Sequence, residues 1–145
     1  MNLTIRPATP DDLPTAYAFL CDLEDETLDQ AKFEAVYSRN LANPAVFYRV
    51  AELGGEVVGF LSCHVQHLLH HTGPVGEIQE LYVRPDCRNQ RIGHAFMKFL
   101  DELVGEEGLV NLEVTTNQKR TDTARFYEQT GFARTHWKLV KQVIH

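Results

Sequence analysis

The stretch EIQELYVRPDCRNQRIGH, residues Glu77–His94, decides the fold of this chain. Its first part, Glu77–Val83, is rich in β-favouring residues, and the Arg-Pro-Asp that follows ends the strand. A helical pattern of apolar residues then begins near Ile92 and runs to Glu107. The start of such a helix exposes backbone N–H groups and the positive end of the helix dipole beside the sheet. The stretch therefore predicts an α/β domain with an anion-binding junction.

The sequence on either side of this stretch predicts one domain, residues 1–145, built on a mixed sheet. The predicted order β-α-α-β-β-β-α-β-α-β is typical of a sheet with helices on both faces. Gly54-Gly55 predicts a hairpin between strands Val46–Leu53 and Val57–Gln66. The last strand is expected over Phe132–Val143. A chain of 145 residues has the size of one domain.

Three further helices are predicted from their start and stop signals. Thr9 as N-cap, followed by Pro10, predicts the beginning of the first helix. The second helix is expected over Leu28–Leu41 and the last over about Asp122–Gln129, with Gly131 as its cap. The side chains of the second helix that are expected to face inward are Phe33, Val36, Tyr37 and Leu41.

Composition and charge exclude several classes of function. The formal net charge is −6, from 20 acidic and 14 basic residues, which argues against nucleic acid or an anionic membrane as the partner. Half of the basic residues nevertheless lie in two short segments, which favours a small anionic ligand. The three cysteines lie far apart, the N-terminus turns polar at once, and no apolar run could span a bilayer. We expect a cytoplasmic protein without a disulfide framework, a thiolate zinc site or a membrane anchor.

The strand-to-helix junction has the features of a phosphate-binding loop. Successive turn N–H groups form a concave anion site, Gly93 leaves room for close approach, and Arg88 and Arg91 add positive charge. The residues predicted to bind the anion are Arg88, Asn89, Gln90, Arg91, Ile92, Gly93 and His94. For this segment alone, a solvated turn with one glycine and surface arginines is the alternative.

This segment resembles the acetyl-CoA signature of the GCN5-related N-acetyltransferases (GNAT), Arg/Gln-x-x-Gly-x-Gly/Ala. Arg88 and Gly93 match its first and last positions, whereas Arg91 stands where the family usually has glycine and Asn89 replaces another common glycine. If Arg91 adopts a positive φ, its side chain introduces strain of about 1 kcal/mol. The resemblance implies acetyl-CoA as the co-substrate.

Three further segments resemble the same family. Leu81-Tyr82-Val83 resembles the strand whose backbone holds the pantetheine arm, and Asn117 resembles the asparagine that contacts that arm. Ala124–Tyr127, followed by Gly131-Phe132, resembles the motif that supplies the catalytic tyrosine. The resemblance implies the GNAT fold, a mixed sheet of six to seven strands in which strands four and five splay apart around the thioester. The residues to which it gives cofactor-binding roles here are Leu81, Tyr82, Val83, Asn117 and Arg125.

Acetyl transfer to an amine requires a group that takes a proton from the amine and a group that protonates the departing sulfur. The resemblance makes Tyr127 the general acid, and a core tyrosine is the alternative. Glu77 and Glu80 are the candidates for the base, with a slight preference for Glu77; strand-edge surface carboxylates are the alternative. Because they are three residues apart on a strand, they point to opposite faces unless a bulge turns the chain.

Histidines crowd the segment before this strand. His64, His70 and His71, completed by a nearby glutamate, are the candidates for a divalent metal site, and a polar loop rim is the alternative. Leu68–His71 and Gly76–Leu81 also resemble the aminoalkylphosphonate N-acetyltransferases, a subgroup that acetylates small aminophosphonates and uses a divalent metal. The resemblance implies that acceptor class and a metal ion for this chain.

The acceptor and the oligomeric state stay open at this point. An acidic cluster over Asp22–Asp29 would repel a phosphonate and attract a cationic amine. A small-molecule primary amine is the favoured acceptor; the alternatives are a peptide, protein or polyamine N-acetyltransferase and a non-catalytic acyl-CoA-binding sensor. The last strand, from Trp137 to Ile144, alternates enough to pair with a second copy, so a homodimer is also considered.

Overall fold

The computed structural model describes residues 2–118 and 120–144, and of Asn89 the backbone alone. The helices and strands are β1 (Leu3–Pro7), α1 (Leu13–Glu24), α2 (Gln30–Leu41), β2 (Val46–Leu53), β3 (Glu56–Leu68), β4 (Gly73–Val83), α3 (Ile92–Glu107), β5 (Asn111–Val114) and α4 (Thr121–Gln129). Short 3₁₀ turns cover Pro10–Asp12, Leu69–His71 and Pro85–Gln90. The predicted bounds of β2 and α3 are confirmed, and every predicted helix is present.

The strands form one sheet in the order β1-β2-β3-β4-β5. The first four pair antiparallel, and β4 pairs with β5 in parallel. The hairpin between β2 and β3 turns on Gly54 and Gly55, whose φ angles are 61° and 84°, as a tight turn of this hand requires. The mixed α/β sheet is confirmed.

The predicted strand over Phe132–Val143 is wrong, and the expected count of six to seven strands is therefore too high. Among the described residues the sheet has five strands, and residues 132–144 form neither helix nor strand. The side chains of residues 133–144 are exposed. The β-favouring composition of this segment gives it no strand pairing within the described chain.

The helices cover both faces of the sheet, as expected. One face packs on α3 and α4 through a core that includes Ile92, Phe96 and Leu100. The other packs on α1 and α2 through a second core that includes Phe19 and Tyr37. In the part of the chain that the structure describes, every helix is too short or too polar to cross a membrane.

The strands β4 and β5 run together for only four residue pairs. Val75 lies opposite Asn111 and Ile78 opposite Val114, and the pairing stops there. Beyond that point β4 continues along β3 as far as the pair formed by Val83 and Gly59. The two parallel strands therefore part at Ile78, which confirms the splayed strands and opens a gap at the edge of the sheet.

Capping hydrogen bonds mark where α1 and α2 begin. Asp12 accepts hydrogen bonds from the N–H of Thr9 at 2.8 Å and from its hydroxyl at 3.2 Å, which stabilises the turn before α1. Asp29 caps α2 by accepting from the N–H of Lys32 at 2.9 Å, so this helix begins two residues later than expected. Val36 is 57% exposed, and the expectation that it faces inward is wrong.

Candidate active site

Two cavities meet where β4 and β5 part. The first, which we call the gap cavity, has a volume of about 170 Å³ and lies between Ile78–Leu81 of β4 and Val114–Asn117 after β5, with Tyr127 in its wall. The second, the helix-side cavity, has a volume of about 450 Å³ and lies against α1 and α2. Glu24 and Glu80 line both cavities. The junction of the two spaces is thus flanked by carboxylates from α1 and from β4.

A β-bulge in β4 places both candidate glutamates on one face of the sheet, but only one of them at this junction. On β3, Ser62 lies opposite Glu80 but the next residue lies opposite Ile78, so Gln79 is the extra residue on β4. The bulge brings Glu77 and Glu80 to the same face of the sheet, whereas a regular strand would place them on opposite faces. Glu80 lines both cavities, and Glu77 lines neither.

Glu80 is held in place by a buried hydroxyl. The Oγ of Ser62 donates a hydrogen bond to the Glu80 carboxylate and accepts one from the Glu80 N–H at 3.0 Å. Ser62 is fully buried, so this contact is shielded from water. Glu77 instead accepts a hydrogen bond from the side chain of Gln79 at 2.8 Å in an exposed position. Of the two candidate bases, Glu80 is the one oriented toward the cavities.

Tyr127 lies in the wall of the gap cavity and is 4% exposed. Its ring packs edge-on against Phe126 and Phe132, with centroid distances of 5.5 and 5.4 Å. Burial raises the pKa of the Tyr127 phenol to about 12, so the hydroxyl carries its proton at neutral pH. The side chain therefore lines the cavity with a proton that it can donate, which a general acid requires.

The predicted phosphate loop ends in a strained residue. Arg91 adopts φ 59° and ψ 29°, which confirms the positive φ considered for it. A residue with a Cβ pays about 1 kcal/mol for this conformation. Arg88 and Arg91 are exposed, and the Nε of Arg88 donates to the Val83 carbonyl at 3.3 Å. Arg84 is already engaged by the Asp86 carboxylate, at 2.7 Å. Among the described residues, Arg88 and Arg91 form no ion pair with a carboxylate, and both lie beside the helix start.

Gly93 has a packing role in addition to the expected one. A Cβ at this position would lie 3.0 Å from the Cζ of Phe126, which is closer than side chains normally approach. The exposed ring of His94 contacts the same phenylalanine at 5.6 Å. The glycine therefore lets α3 approach α4, the helix that carries Tyr127. Gln90 is exposed and Ile92 is buried, and the side chain of Asn89 lies outside the described residues.

The remaining predicted cofactor residues divide into two groups. Leu81 and Asn117 line the gap cavity. The ring of Tyr82 lies on the opposite face, where its hydroxyl donates to Asp22 Oδ2 at 2.5 Å. Arg125 is 70% exposed, lies 3.7 Å from Asp122 and lines neither cavity. Val83 also lies outside both linings.

The structure does not bring the predicted metal ligands together. His70 stacks on His71 at a centroid distance of 4.3 Å, and His71 Nε2 lies 3.5 Å from Glu113 Oε2. His64 lies elsewhere, opposite Glu77 on the β3–β4 ladder. Within residues 2–118 and 120–144, no three His, Cys, Asp or Glu side chains are placed to hold a metal ion. The residues present therefore do not fit the divalent ion that the resemblance implied.

Two site residues have no role predicted from the sequence, and a third belongs to the predicted acidic cluster. Ser62 has no local sequence signal until the fold places it beside Glu80. Glu24 is part of the Asp22–Asp29 cluster and lines both cavities with Glu80. Arg120 precedes α4, and its Nη2 donates to the carbonyl of Leu23 at 2.8 Å and lies 3.9 Å from Glu24 Oε2. It joins two segments 97 residues apart across the gap cavity. Only a prediction of tertiary contacts could have found it.

Comparisons with known proteins agree with this geometry. A model of the Acetyltransferase (GNAT) family matches residues 13–132. An aminoalkylphosphonate N-acetyltransferase of Salmonella typhimurium is 40% identical over 137 residues, which cover 94% of this chain and 89% of that enzyme.

Solved structures share the fold. A Bacillus halodurans protein described as a transcriptional regulator has a TM-score of 0.90 and 27% identity, with 98% of this chain and 100% of that chain covered. An aminoglycoside N-acetyltransferase in complex with CoA has a TM-score of 0.86 and 15% identity, with 98% of this chain and 95% of that chain covered.

Proposed function

The chain belongs to the GNAT family of acetyltransferases, and from this premise we propose that it transfers the acetyl group of acetyl-CoA to the primary amine of an aminoalkylphosphonate. The observation that carries the reaction is the gap between β4 and β5, whose cavity is lined by both Glu80 and Tyr127. The acceptor class is supported by the 40% identity to the Salmonella enzyme, which extends over 94% of this chain.

The chain offers a suitable binding surface for acetyl-CoA along β4 and the start of α3. The first-turn N–H groups of α3, together with Arg88 and Arg91, would hold the diphosphate. Strand geometry supports a place for the thioester in the gap. The N–H of Arg84 donates to Val58 of β3, and alternation then directs the N–H groups of Leu81 and Val83 toward the open side.

Three groups of this chain would share the chemistry. Glu80 takes a proton from the acceptor ammonium, and the neutral amine nitrogen then forms a bond to the acetyl carbonyl carbon. A backbone N–H of Leu81 or Val83 donates to the carbonyl oxygen as it gains negative charge. The C–S bond breaks, Tyr127 protonates the departing thiolate, and the nitrogen loses its second proton to water as the amide forms. Glu80 then releases its proton to water, and the Tyr127 phenolate takes one from water.

The polarity of the helix-side cavity supports a zwitterionic acceptor. Glu24 and Glu80 flank its junction with the gap cavity, where an ammonium group must arrive. Lys32 is the only basic side chain in its lining as described and would pair with the phosphonate. Glu26 and Asp29 also line the cavity, and Asp29 caps α2. These carboxylates favour the ammonium end of the acceptor, which leaves Lys32 as the contact for its phosphonate end.

The reaction is tested by thiol release from acetyl-CoA with a panel of acceptors. The panel contains aminoalkylphosphonates, alkylamines of equal length, polyamines and peptides, each with and without a chelator. We expect turnover with aminoalkylphosphonates, and equal rates with the chelator because the histidines are not arranged for a metal. Turnover with peptides or polyamines alone would exclude the proposed acceptor, and tight CoA binding without turnover would indicate a sensor.

Two matched variants on α2 test the acceptor class. Lys32→Met should raise the KM for an aminoalkylphosphonate roughly tenfold or more, because a charge-assisted contact is lost. It should leave the KM for an alkylamine of equal length unchanged. Arg39→Met removes a cation from the same helix outside the cavity and should change neither value. Equal effects of Lys32→Met on both acceptors would contradict a phosphonate contact.

Two matched variants on β4 test which glutamate is the base. Glu80→Gln should lower kcat by about 10²–10⁴. Glu77→Gln should change it only slightly, because Glu77 lines neither cavity. A large loss of kcat in Glu77→Gln, with little change in Glu80→Gln, would instead identify Glu77 as the base.

A further inference from the structure

A buried tyrosine of the helix-side cavity has no part in the acetyl transfer described above. Tyr48 of β2 is 9% exposed and lines that cavity. Its ring packs against the rings of Tyr37 and Phe60, at centroid distances of 5.4 and 5.3 Å. Because the ring is held by aromatic neighbours, its hydroxyl has a fixed position in the cavity wall.

The hydroxyl of Tyr48 accepts a hydrogen bond but donates none within residues 2–118 and 120–144. The side-chain amide of Asn40 donates to its oxygen at 2.7 Å. Asn40 belongs to α2 and does not line the cavity, so it holds the hydroxyl from outside. A phenolic hydroxyl both accepts and donates. The proton of Tyr48 is therefore left for a group that enters the cavity.

Tyr37, the other tyrosine in the cavity lining as described, uses its proton within the fold. Its hydroxyl donates to the Thr9 carbonyl at 2.7 Å. Burial raises the pKa of Tyr48, so its hydroxyl also carries its proton at neutral pH. Of these two tyrosines, Tyr48 is thus the one that can donate to a ligand.

The strand register places Tyr48 in line with the proposed base. Tyr48 of β2 lies opposite Ser62 of β3, and Ser62 lies opposite Glu80 of β4. Side chains in such a row point to the same face of the sheet, and the backbones at the two ends are about 10 Å apart. Tyr48 and Glu80 both line the helix-side cavity. A small molecule with one end at Glu80 therefore has Tyr48 within reach of its other end.

We infer that Tyr48 determines acceptor specificity by donating a hydrogen bond to a phosphonate oxygen, and that Asn40 positions its hydroxyl. The inference rests on the proposed function, because it takes the acceptor ammonium to lie at Glu80. A hydrogen bond to an anionic oxygen is stronger than one between neutral groups. Together with Lys32, the phosphonate would have donors from both β2 and α2. A site built in this way discriminates against an amine that lacks the anionic group.

Tyr48→Phe tests the contact, because it removes the hydroxyl and keeps the ring. The KM for 2-aminoethylphosphonate should rise about tenfold or more, and the KM for ethylamine should stay unchanged. Tyr17→Phe is the matched control. The hydroxyl of Tyr17 donates to the Leu28 carbonyl at 2.6 Å, and Tyr17 lines neither cavity. This control should change neither KM.

Asn40→Leu tests the positioning role, because it removes the amide donor and keeps a side chain of similar size. It should raise the KM for 2-aminoethylphosphonate by a smaller factor than Tyr48→Phe does. In the Tyr48→Phe background it should have no further effect, since Asn40 acts through that hydroxyl. An equal rise in KM in both backgrounds would contradict the positioning role.

Direct binding separates this inference from the proposed function. Isothermal titration with ethylphosphonate, which has no amine, should show weaker binding to Tyr48→Phe than to the parent. Equal affinities, or an equal rise in the KM for 2-aminoethylphosphonate and ethylamine, would overturn the inference and leave the proposed acetyl transfer intact. A parent that neither binds ethylphosphonate nor acetylates 2-aminoethylphosphonate would overturn the acceptor class and the inference together.

Discussion

The two faces of the sheet are covered by different kinds of side chain. On the side of α3 the core is dominated by apolar side chains that lack a hydrogen-bonding group, and Ile92, Phe96 and Leu100 are 0% exposed. On the side of α1 and α2 it contains tyrosines whose hydroxyls find partners. Tyr37 donates to the Thr9 carbonyl at 2.7 Å, and Tyr48 accepts from Asn40 at 2.7 Å.

We expect this difference to divide two tasks between the faces: one face chiefly stabilises the fold, and the other chiefly binds the acceptor. Burial raises the pKa of both Tyr37 and Tyr48, so their hydroxyls stay neutral hydrogen-bonding groups. The face that packs on α1 and α2 can therefore line a cavity with tyrosine hydroxyls that carry no charge, and the helix-side cavity lies there. The face that packs on α3 consists mainly of buried side chains without polar groups, and we expect it chiefly to stabilise the sheet. Substitutions on the two faces should consequently affect different quantities.

Tyr127 should be an exception to this comparison, because it belongs to the α3 face yet carries the hydroxyl that we propose as the general acid. Tyr127→Phe should lower kcat by about 10²–10⁴, with little change in acetyl-CoA affinity or in the free energy of unfolding. Steady-state kinetics and denaturant unfolding measure the two effects. A change in kcat below about twofold would remove the assignment as general acid.

Leu100→Ala and Val36→Ala test the two faces of the sheet separately. Leu100 is fully buried on the α3 face, and its truncation should lower the free energy of unfolding by about 2–5 kcal/mol. Val36 is half exposed and lines the helix-side cavity, so its truncation should cost less than about 0.5 kcal/mol and instead change the KM for the acceptor. Urea unfolding and acceptor titration distinguish them; comparable stability losses would contradict the division of roles.

Two glycines of α3 test the contact between α3 and α4. Gly93→Ala places a Cβ against Phe126 and should destabilise the fold by about 1–3 kcal/mol. Gly105 lies in the same helix with no atom within 4 Å of the added Cβ. Gly105→Ala should stabilise the fold by about 0.5–1 kcal/mol. Thermal unfolding measures both, and a neutral Gly93→Ala would mean that glycine is not needed there for packing.

The smallest expected effect is at Arg91. Arg91→Gly removes a side chain from a positive φ and should stabilise the fold by about 1 kcal/mol. If the guanidinium binds a phosphate of CoA, the same variant should bind CoA more weakly. Isothermal titration with CoA, compared with pantetheine, which lacks the phosphates, measures the second effect. Equal affinities of the variant and the parent for CoA would leave Arg91 without a phosphate contact.

The sequence by itself determined the features that depend on neighbouring residues. The bounds of α3, the Gly54-Gly55 hairpin and the strand-to-helix junction follow from local pattern and backbone preference. The splayed strands followed from the resemblance to a family with that fold. Those features could be predicted because each depends on residues close together in the chain or on a pattern that a family shares.

Only the tertiary structure decided the details of the site and the state of residues 133–144. Glu80 is held beside the cavities by its pairing with Ser62, 18 residues away, next to the bulge at Gln79. Arg120 reaches the end of α1 across 97 residues. Residues 133–144 have the composition of a strand but no pairing partner within the described chain, because hydrogen bonds between strands require a neighbour that composition cannot supply. Strand propensity is a property of the segment, whereas pairing is a property of what lies beside it.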